Sequence, residues 1–265
     1  DWKIDINWAK NNSKVLDLGG IDNLELASLQ GGVTINATKG EPYGTIRGSN
    51  FTYLNGQKVV SSSGRYVSSP TSNEVIGNLN PDWTGGINNS FRYKNLNFGF
   101  LVDVKQGGEV FSLDLYYGLA TGLYPETAVL NDNGKEVRDP IADGGGLVLE
   151  GVQADGTPNT VRYDATDFGI YGYRRNPAAG FVYDASFVKL REVNISYDMP
   201  KAWLGAQGFI KGVNLGIYAR NLWTIHKNVP YADPEEGFSS GNVQGYQGGA
   251  YPNVRVIGFN LGVKF

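Results

Sequence analysis

Arg255-Val256-Ile257-Gly258-Phe259-Asn260-Leu261-Gly262-Val263-Lys264-Phe265 closes the sequence. Ile257, Phe259, Leu261, Val263 and Phe265 share one face, and Gly258, Asn260, Gly262 and Lys264 share the other. Alternation this regular specifies a strand with one apolar and one polar side. A water-soluble sheet would cover the apolar side with a second layer, whereas a barrel in a bilayer turns it to lipid.

The same pattern recurs upstream. Trp2, Ile4, Ile6 and Trp8 alternate with Lys3, Asp5 and Asn7. Indoles bracketing an aliphatic stretch suit a strand whose two ends lie at the membrane interfaces. Trp83, Ile87, Phe91 and Tyr93 share a face, the turn at Lys94-Asn95 is tight, and Leu96, Phe98, Phe100, Val102 and Val104 return. Val213, Leu215, Ile217 and Ala219 alternate with Asn214, Gly216, Tyr218 and Arg220 as far as Trp223. Over 187–197 the face with Val193, Ile195 and Tyr197 is lipid-like, yet Lys189 and Arg191 fall in the same phase. Either a bulge lies near Arg191-Glu192, or these cations sit above the hydrocarbon. With Val33, Ile35 and Ala37, the reading gives about seven spanning strands: 1–9, 31–38, 84–93, 96–105, 185–198, 212–223 and 254–265.

Composition agrees. Of 265 residues 37 are glycine, about twice ordinary usage, and there are 16 Tyr against one Met. This is the vocabulary of strands and turns, so the class expected is all-β: an antiparallel transmembrane β-barrel segment. Residues 40–82 read as a long loop with a hairpin at Asn55-Gly56. Residues 106–183 form the longest connection, in which 109–118 reads equally as strand or helix. Short turns at one end and long loops at the other are the asymmetry of outer-membrane barrels. A formal charge of −3 argues against nucleic acid as a partner. Cysteine is absent, which removes thiol-based metal and redox sites. No signal peptide opens the sequence, and seven is an odd count, so the chain is expected to be a mature or truncated piece of a larger barrel.

Several segments, in order, resemble the SusC/RagA-like TonB-dependent transporters. Asn80-Pro81-Asp82-Trp83-Thr84-Gly85-Gly86, with Phe91-Arg92-Tyr93-Lys94-Asn95, is similar to a hairpin of that family. Val104-Lys105-Gln106-Gly107-Gly108 is similar to the end of the returning strand, with Lys for the usual Arg. Tyr183-Asp184-Ala185-Ser186-Phe187, Ala219-Arg220-Asn221-Leu222-Trp223 and Tyr231-Ala232-Asp233-Pro234-Glu235 continue the series. The resemblance covers nearly the whole chain. It implies that residues 1–265 are the C-terminal part of a 22-stranded barrel with long extracellular loops, in the outer membrane of a Gram-negative, Bacteroidota-like bacterium. The implied activity is import of oligosaccharides or peptides, not an enzymatic reaction. The implied partners are the N-terminal part of the barrel with its plug, a SusD-like surface lipoprotein, TonB acting through the missing N-terminal part, and outer-membrane lipid. A structural role in a larger envelope complex is the alternative.

Individual residues give fewer pointers. Phe265, in phase with Phe259, resembles the C-terminal aromatic signal read by the barrel-assembly machinery; otherwise it simply ends an amphipathic strand. Tyr171, Tyr173, Arg174 and Arg175 are candidate substrate-binding residues, since aromatics beside guanidiniums stack on sugars or grip carboxylates; alternatively they pack the loop. His226, the single histidine, reads as a loop residue without chemistry. Asn131-Asp132-Asn133-Gly134 reads as a turn, lacking the glutamate of a calcium loop. Asp233, Glu235 and Glu236 read as solvated loop charge. No catalytic set, cofactor motif or metal site is expected.

Overall fold

A computed structural model of the protein describes residues 1–204, 209–237, 241 and 244–265. Six long strands build one antiparallel sheet: Trp2–Ala9, Trp83–Tyr93, Leu96–Gln106, Phe187–Asp198, Gly212–Lys227 and Val256–Lys264. Each is paired to the next in the chain, so the sheet is a meander. Register places the alternating faces in line. Trp2, Phe91, Phe98, Ile195, Ile217 and Phe259 form one row across all six strands. Lys3, Ser90, Gly99, Asn194, Tyr218 and Gly258 form a row on the opposite face. A one-residue slip in any pair would exchange these faces, so the apolar pattern itself fixes the register. Asn89 is the polar exception on the apolar side, and its Oδ1 accepts a bond from Trp2 Nε1 at 3.2 Å. That bond satisfies an amide oxygen which hydrocarbon would leave without a partner.

The connections are unequal. Residues 94–95 and 199–211 turn at one end, while 10–82, 107–186 and 228–255 connect the strands at the other. At the first end Lys94 takes a left-handed conformation (φ 54). Asn95 holds the neighbouring strand through Nδ2 to the Asp198 carbonyl, 2.8 Å, and its own carbonyl accepts from Asp198 N, 2.9 Å.

The long connections pack into a dome. Among the described residues, Phe187 and Ala219 are the only buried apolar side chains that belong to the six strands; the rest lie in the loops. A four-stranded sheet of Asn23–Leu29, Val33–Thr38, Thr45–Gly48 and Glu74–Asn78 supplies Val33, Ile35 and Ile46 to a core with Phe111, Leu115, Ala178 and Phe181. Fully burying an aromatic such as Phe111 contributes about 1.5–3 kcal/mol. A second cluster holds Val137, Tyr163, Ala165 and Ile170.

This arrangement corrects the expected strand count. Residues 31–38 do not span with the others; Val33–Thr38 is an inner strand of the dome, buried on both faces. Its polar side is sealed by Asn36 Nδ2 to Thr34 Oγ1, 2.7 Å, and by Asn23 Nδ2 to Asn36 Oδ1, 3.0 Å. Period-two alternation says which side is apolar, not whether lipid or protein covers it. Among the described residues six strands span, not seven. The ambiguous stretch 109–118 is both elements in turn: strand Glu109–Ser112, then helix Leu113–Gly118 capped by the Ser112 side chain on Leu115 N. Asn55-Gly56 is the hairpin expected, joining Tyr53–Leu54 to Gln57–Lys58. The Asn131–Gly134 segment is a turn in which Asn131 Oδ1 accepts from Asn133 N and Lys135 N.

Candidate functional site

Three of the segments singled out by resemblance, around Asp82, Gly107-Gly108 and Asp184-Ala185-Ser186, lie far apart in sequence, yet they meet at the rim where strands give way to the dome. Asp82 N donates to the Gln106 carbonyl at 2.8 Å, and Gly107 N donates to Ser186 Oγ at 2.7 Å. Ala185 N donates to the Gly108 carbonyl at 2.8 Å. Gly107 and Gly108 both have positive φ, 76 and 75. A Cβ on Gly107 would stand 2.6 Å from Asp82 Oδ2, and one on Gly108 2.8 Å from the Leu79 carbonyl oxygen. The glycine pair is therefore required by backbone shape and by close approach. Asp184 Oδ1 accepts from Ser186 N at 2.7 Å, and Oδ2 accepts from Asn228 Nδ2 at 2.9 Å. These bonds stitch all three long connections to the sheet.

A polar cleft of about 410 Å3 opens at this rim, lined in part by Asn12, Asn80, Asp82, Gln106, Glu109 and Asp184. Burial pushes the Glu109 carboxyl up, only partly offset by the bond it accepts from Asn78 N, 2.7 Å. Asp184 goes the other way: burial opposes its charge, but the Ser186 and Asn228 bonds outweigh it and hold the carboxyl down.

Beside the cleft lies an ion cluster. Lys189 Nζ bonds Asp233 Oδ1 and Glu235 Oε2, both at 2.6 Å. Arg191 Nη2 reaches Asp103 Oδ2 at 2.5 Å and Glu235 Oε1 at 2.6 Å, and Nη1 reaches Glu235 Oε2 at 2.7 Å. The side chains of Lys189, Asp233 and Glu235 are only 5%, 12% and 18% exposed. Asp233, Glu235 and Glu236 are thus not solvated charge. Glu236 accepts from Gln247 Nε2 at 3.0 Å and from Ala250 N. Burial works against ionisation of Asp233 and Glu235, yet bonds from Lys189, and for Glu235 also from Arg191, prevail and hold both carboxyls below their ordinary range.

The phase conflict at 187–197 is resolved here by a bulge. Register shifts between Leu190 and Glu192 against both neighbouring strands. The extra residue turns Lys189 to the polar side, opposite Asp103, while Leu190 stays with Val102. The strand begun at 212 also runs further than its pattern suggested, to Lys227, so His226 lies within it opposite Val188 and not beyond its end.

Of the four loop residues singled out, only part come together. Tyr173 stacks on Tyr116 (centroids 4.8 Å) and meets Tyr117 edge-on (5.2 Å), with exposed Arg174 next to it in the chain. Tyr171 packs against the second dome cluster, where burial raises its hydroxyl pKa. Arg175 Nε donates to Tyr163 Oη at 2.9 Å. Phe259 stands on the apolar face opposite Ile217, and Phe265 lies 5.0 Å from the Phe209 ring. Among the described residues no group of three His, Cys, Asp or Glu side chains is placed to hold a metal. The rim ion cluster and the Tyr116–Tyr117 rings escaped sequence reasoning. The one available signal was the misplaced phase of Lys189 and Arg191 upstream of an acidic loop.

An antiparallel sheet with lipid-facing and polar faces, short turns at one end and a loop dome at the other is a segment of membrane-barrel wall. Comparison with known proteins agrees. No protein-family model matches the chain. "TonB-dependent receptor P3" of Formosa agariphila is 27% identical over 294 residues, covering 100% of this chain and 27% of the relative. "TonB-dependent receptor P26" of the same organism is 28% identical over 299 residues, with the same two coverages. The chain therefore spans about a quarter of the length of these curated relatives. Solved structures of the RagAB peptide importer in its closed-closed and open-open states each give a TM-score of 0.60, at 19% and 18% identity. They cover 98% and 100% of this chain and 27% of theirs, and the likeness is one of fold. The resemblance to SusC/RagA-like TonB-dependent transporters thus extends over the whole chain.

Proposed function

We propose that residues 1–265 are the C-terminal barrel part of an outer-membrane, TonB-dependent, SusC-like importer of oligosaccharides or peptides that works with a SusD-like surface lipoprotein. The observation that carries this reading is the six-stranded wall itself. Its first and last strands, Trp2–Ala9 and Val256–Lys264, each pair on one side only among the described residues. Lipid tolerates no open sheet edge, so further strands of the same barrel must pair there. The plug and the TonB contact belong to that remainder. Phe259 and Phe265 serve the assembly machinery. Of the loop residues we assign cargo contact to Tyr173 and Arg174, a reading supported by the exposure of Arg174 and the Tyr116–Tyr117 rings beside Tyr173, with Tyr171 and Arg175 packed within the dome.

The test is uptake. Cells carrying the full-length gene and its adjacent lipoprotein gene are compared with a deletion strain for depletion of defined oligosaccharide and peptide mixtures. Loss of uptake of one mixture on deletion, restored by the intact gene but not when TonB coupling is disabled, is expected. Normal insertion with unchanged uptake of every mixture would instead favour the structural role.

A further inference from the structure

The polar cleft at the rim holds bonding capacity that neither the dome nor the transport reading uses. Its lining includes Asn11, Asn12 and Gln106, all exposed, and among the described residues nothing bonds their side-chain amides. The Asp82 carboxylate, also in the lining, likewise accepts no hydrogen bond and forms no ion pair among the described residues. Asn78 Oδ1 accepts from Asn80 N at 2.8 Å and Asn80 Nδ2 at 3.0 Å, but Asn78 Nδ2 is buried without a partner. No lysine or arginine lines the cleft. The register sets its level and side. Gln106 is exposed and pairs with Trp83 on the apolar side, while its neighbour Lys105 is buried on the polar side beneath the dome. Just below, a Cβ on Gly85 would stand 3.4 Å from Trp83 Cζ3 and 3.8 Å from Trp8 Cδ1, so the two indoles stand together on the apolar face. Indoles so placed mark the level where hydrocarbon gives way to head groups.

The unspent groups decide what fits. A carboxylate only accepts hydrogen bonds, whereas a carboxamide both donates and accepts. A phosphate, itself only an acceptor, would meet Asp82, Glu109 and Asp184 with no cation in the lining to offset them. An ammonium would leave the amide donors, Asn78 Nδ2 among them, unbonded. A sugar hydroxyl donates to the carboxylate and accepts from an amide at once, and the cleft volume lies within the about 300–1,000 Å3 of small-molecule sites. We propose that this cleft binds the neutral sugar head group of a glycolipid in the leaflet on the dome side, with Trp8 and Trp83 against the lipid's glycerol and upper acyl chains. The inference rests on the membrane-barrel reading above, since that reading turns the indole face to lipid.

The full-length protein, inserted in nanodiscs of phosphatidylcholine with minor amounts of monogalactosyl diacylglycerol and phosphatidylglycerol, tests this through the lipid retained on mild detergent extraction. The galactolipid should be enriched around the native protein over phosphatidylglycerol, in high salt as in low. The triple change Asn11→Ala, Asn12→Ala, Gln106→Ala should lower that enrichment by about fivefold for each amide that contributes. Asp82→Asn, which keeps the shape of the side chain, should lower it as well. Equal enrichment in the native and both altered proteins overturns the proposal. So does a preference for phosphatidylglycerol, which would make this a phosphate site. Displacement of the galactolipid by soluble methyl galactoside also overturns it, since the cleft would then be a free-sugar site. Should the alanine variant not insert, the Asp82→Asn and competition arms decide alone. Failure of the native protein to insert would count against the barrel reading, whereas insertion without a galactolipid preference overturns this proposal alone.

Discussion

At Lys189 one ammonium meets two carboxylates from a loop more than forty positions away, with Arg191 and Asp103 closing the group. Burial makes these charges mutually dependent, so removing one leaves the others without compensation. Lys189→Ala should cost about 3 kcal/mol, read as faster hydrogen exchange over 228–237 in the full-length protein. The pH dependence follows from the direction of the shifts. Asp233 and Glu235 are held below their ordinary values, so their stabilisation is complete above the ordinary carboxylate range, about 4, and is lost as pH falls through the lowered values. Acidification should therefore release the loop in the native protein and change little further in Lys189→Ala, after correction for intrinsic exchange. Equal protection in both proteins at neutral pH would show that the cluster does not hold the loop.

The strands show what a single sequence can and cannot disclose. Trp2–Ala9, the hairpin Trp83–Gln106 and the closing strand were legible because each lies between lipid and a polar interior, and that contrast is written as strict alternation. Val33–Thr38 carries the same alternation for another reason, a dome core on one side and a hydrogen-bonded asparagine network on the other. The bulge at Arg191 was legible only as a conflict, because its solution depends on Asp103 and Glu235, distant in sequence. Tyr171 and Tyr173 looked equivalent as neighbours but pack into different clusters. The two faces make a test within one strand. Phe100 lies on the apolar side between Asn89 and Val193, and Leu101 on the other between Asn88 and Glu192. Phe100→Arg should destabilise the inserted barrel by about 2–4 kcal/mol, whereas Leu101→Arg should cost far less, both measured by urea titration in vesicles. A larger loss at Leu101 would mean that the faces are reversed.

As a whole, the molecule divides its labour. The wall buries little within itself and depends on lipid outside, while the dome is an ordinary packed core raised on three loops and fastened at the rim by Gly107, Gly108, Asp184 and the ion cluster. Among the described residues both edges of the wall are unpaired, in keeping with a chain that spans about a quarter of the length of its relatives. The closing strand, where the alternation is cleanest, is the place to test this. Single cysteines at Ile257 through Gly262, in the full-length protein in intact outer membranes, can be probed with a lipid-attached quencher and a water-soluble maleimide. Quenching at Ile257, Phe259 and Leu261, with maleimide labelling confined to Gly258, Asn260 and Gly262, is the pattern expected of a membrane-barrel wall. Uniform labelling at all six positions, without quenching, would contradict it.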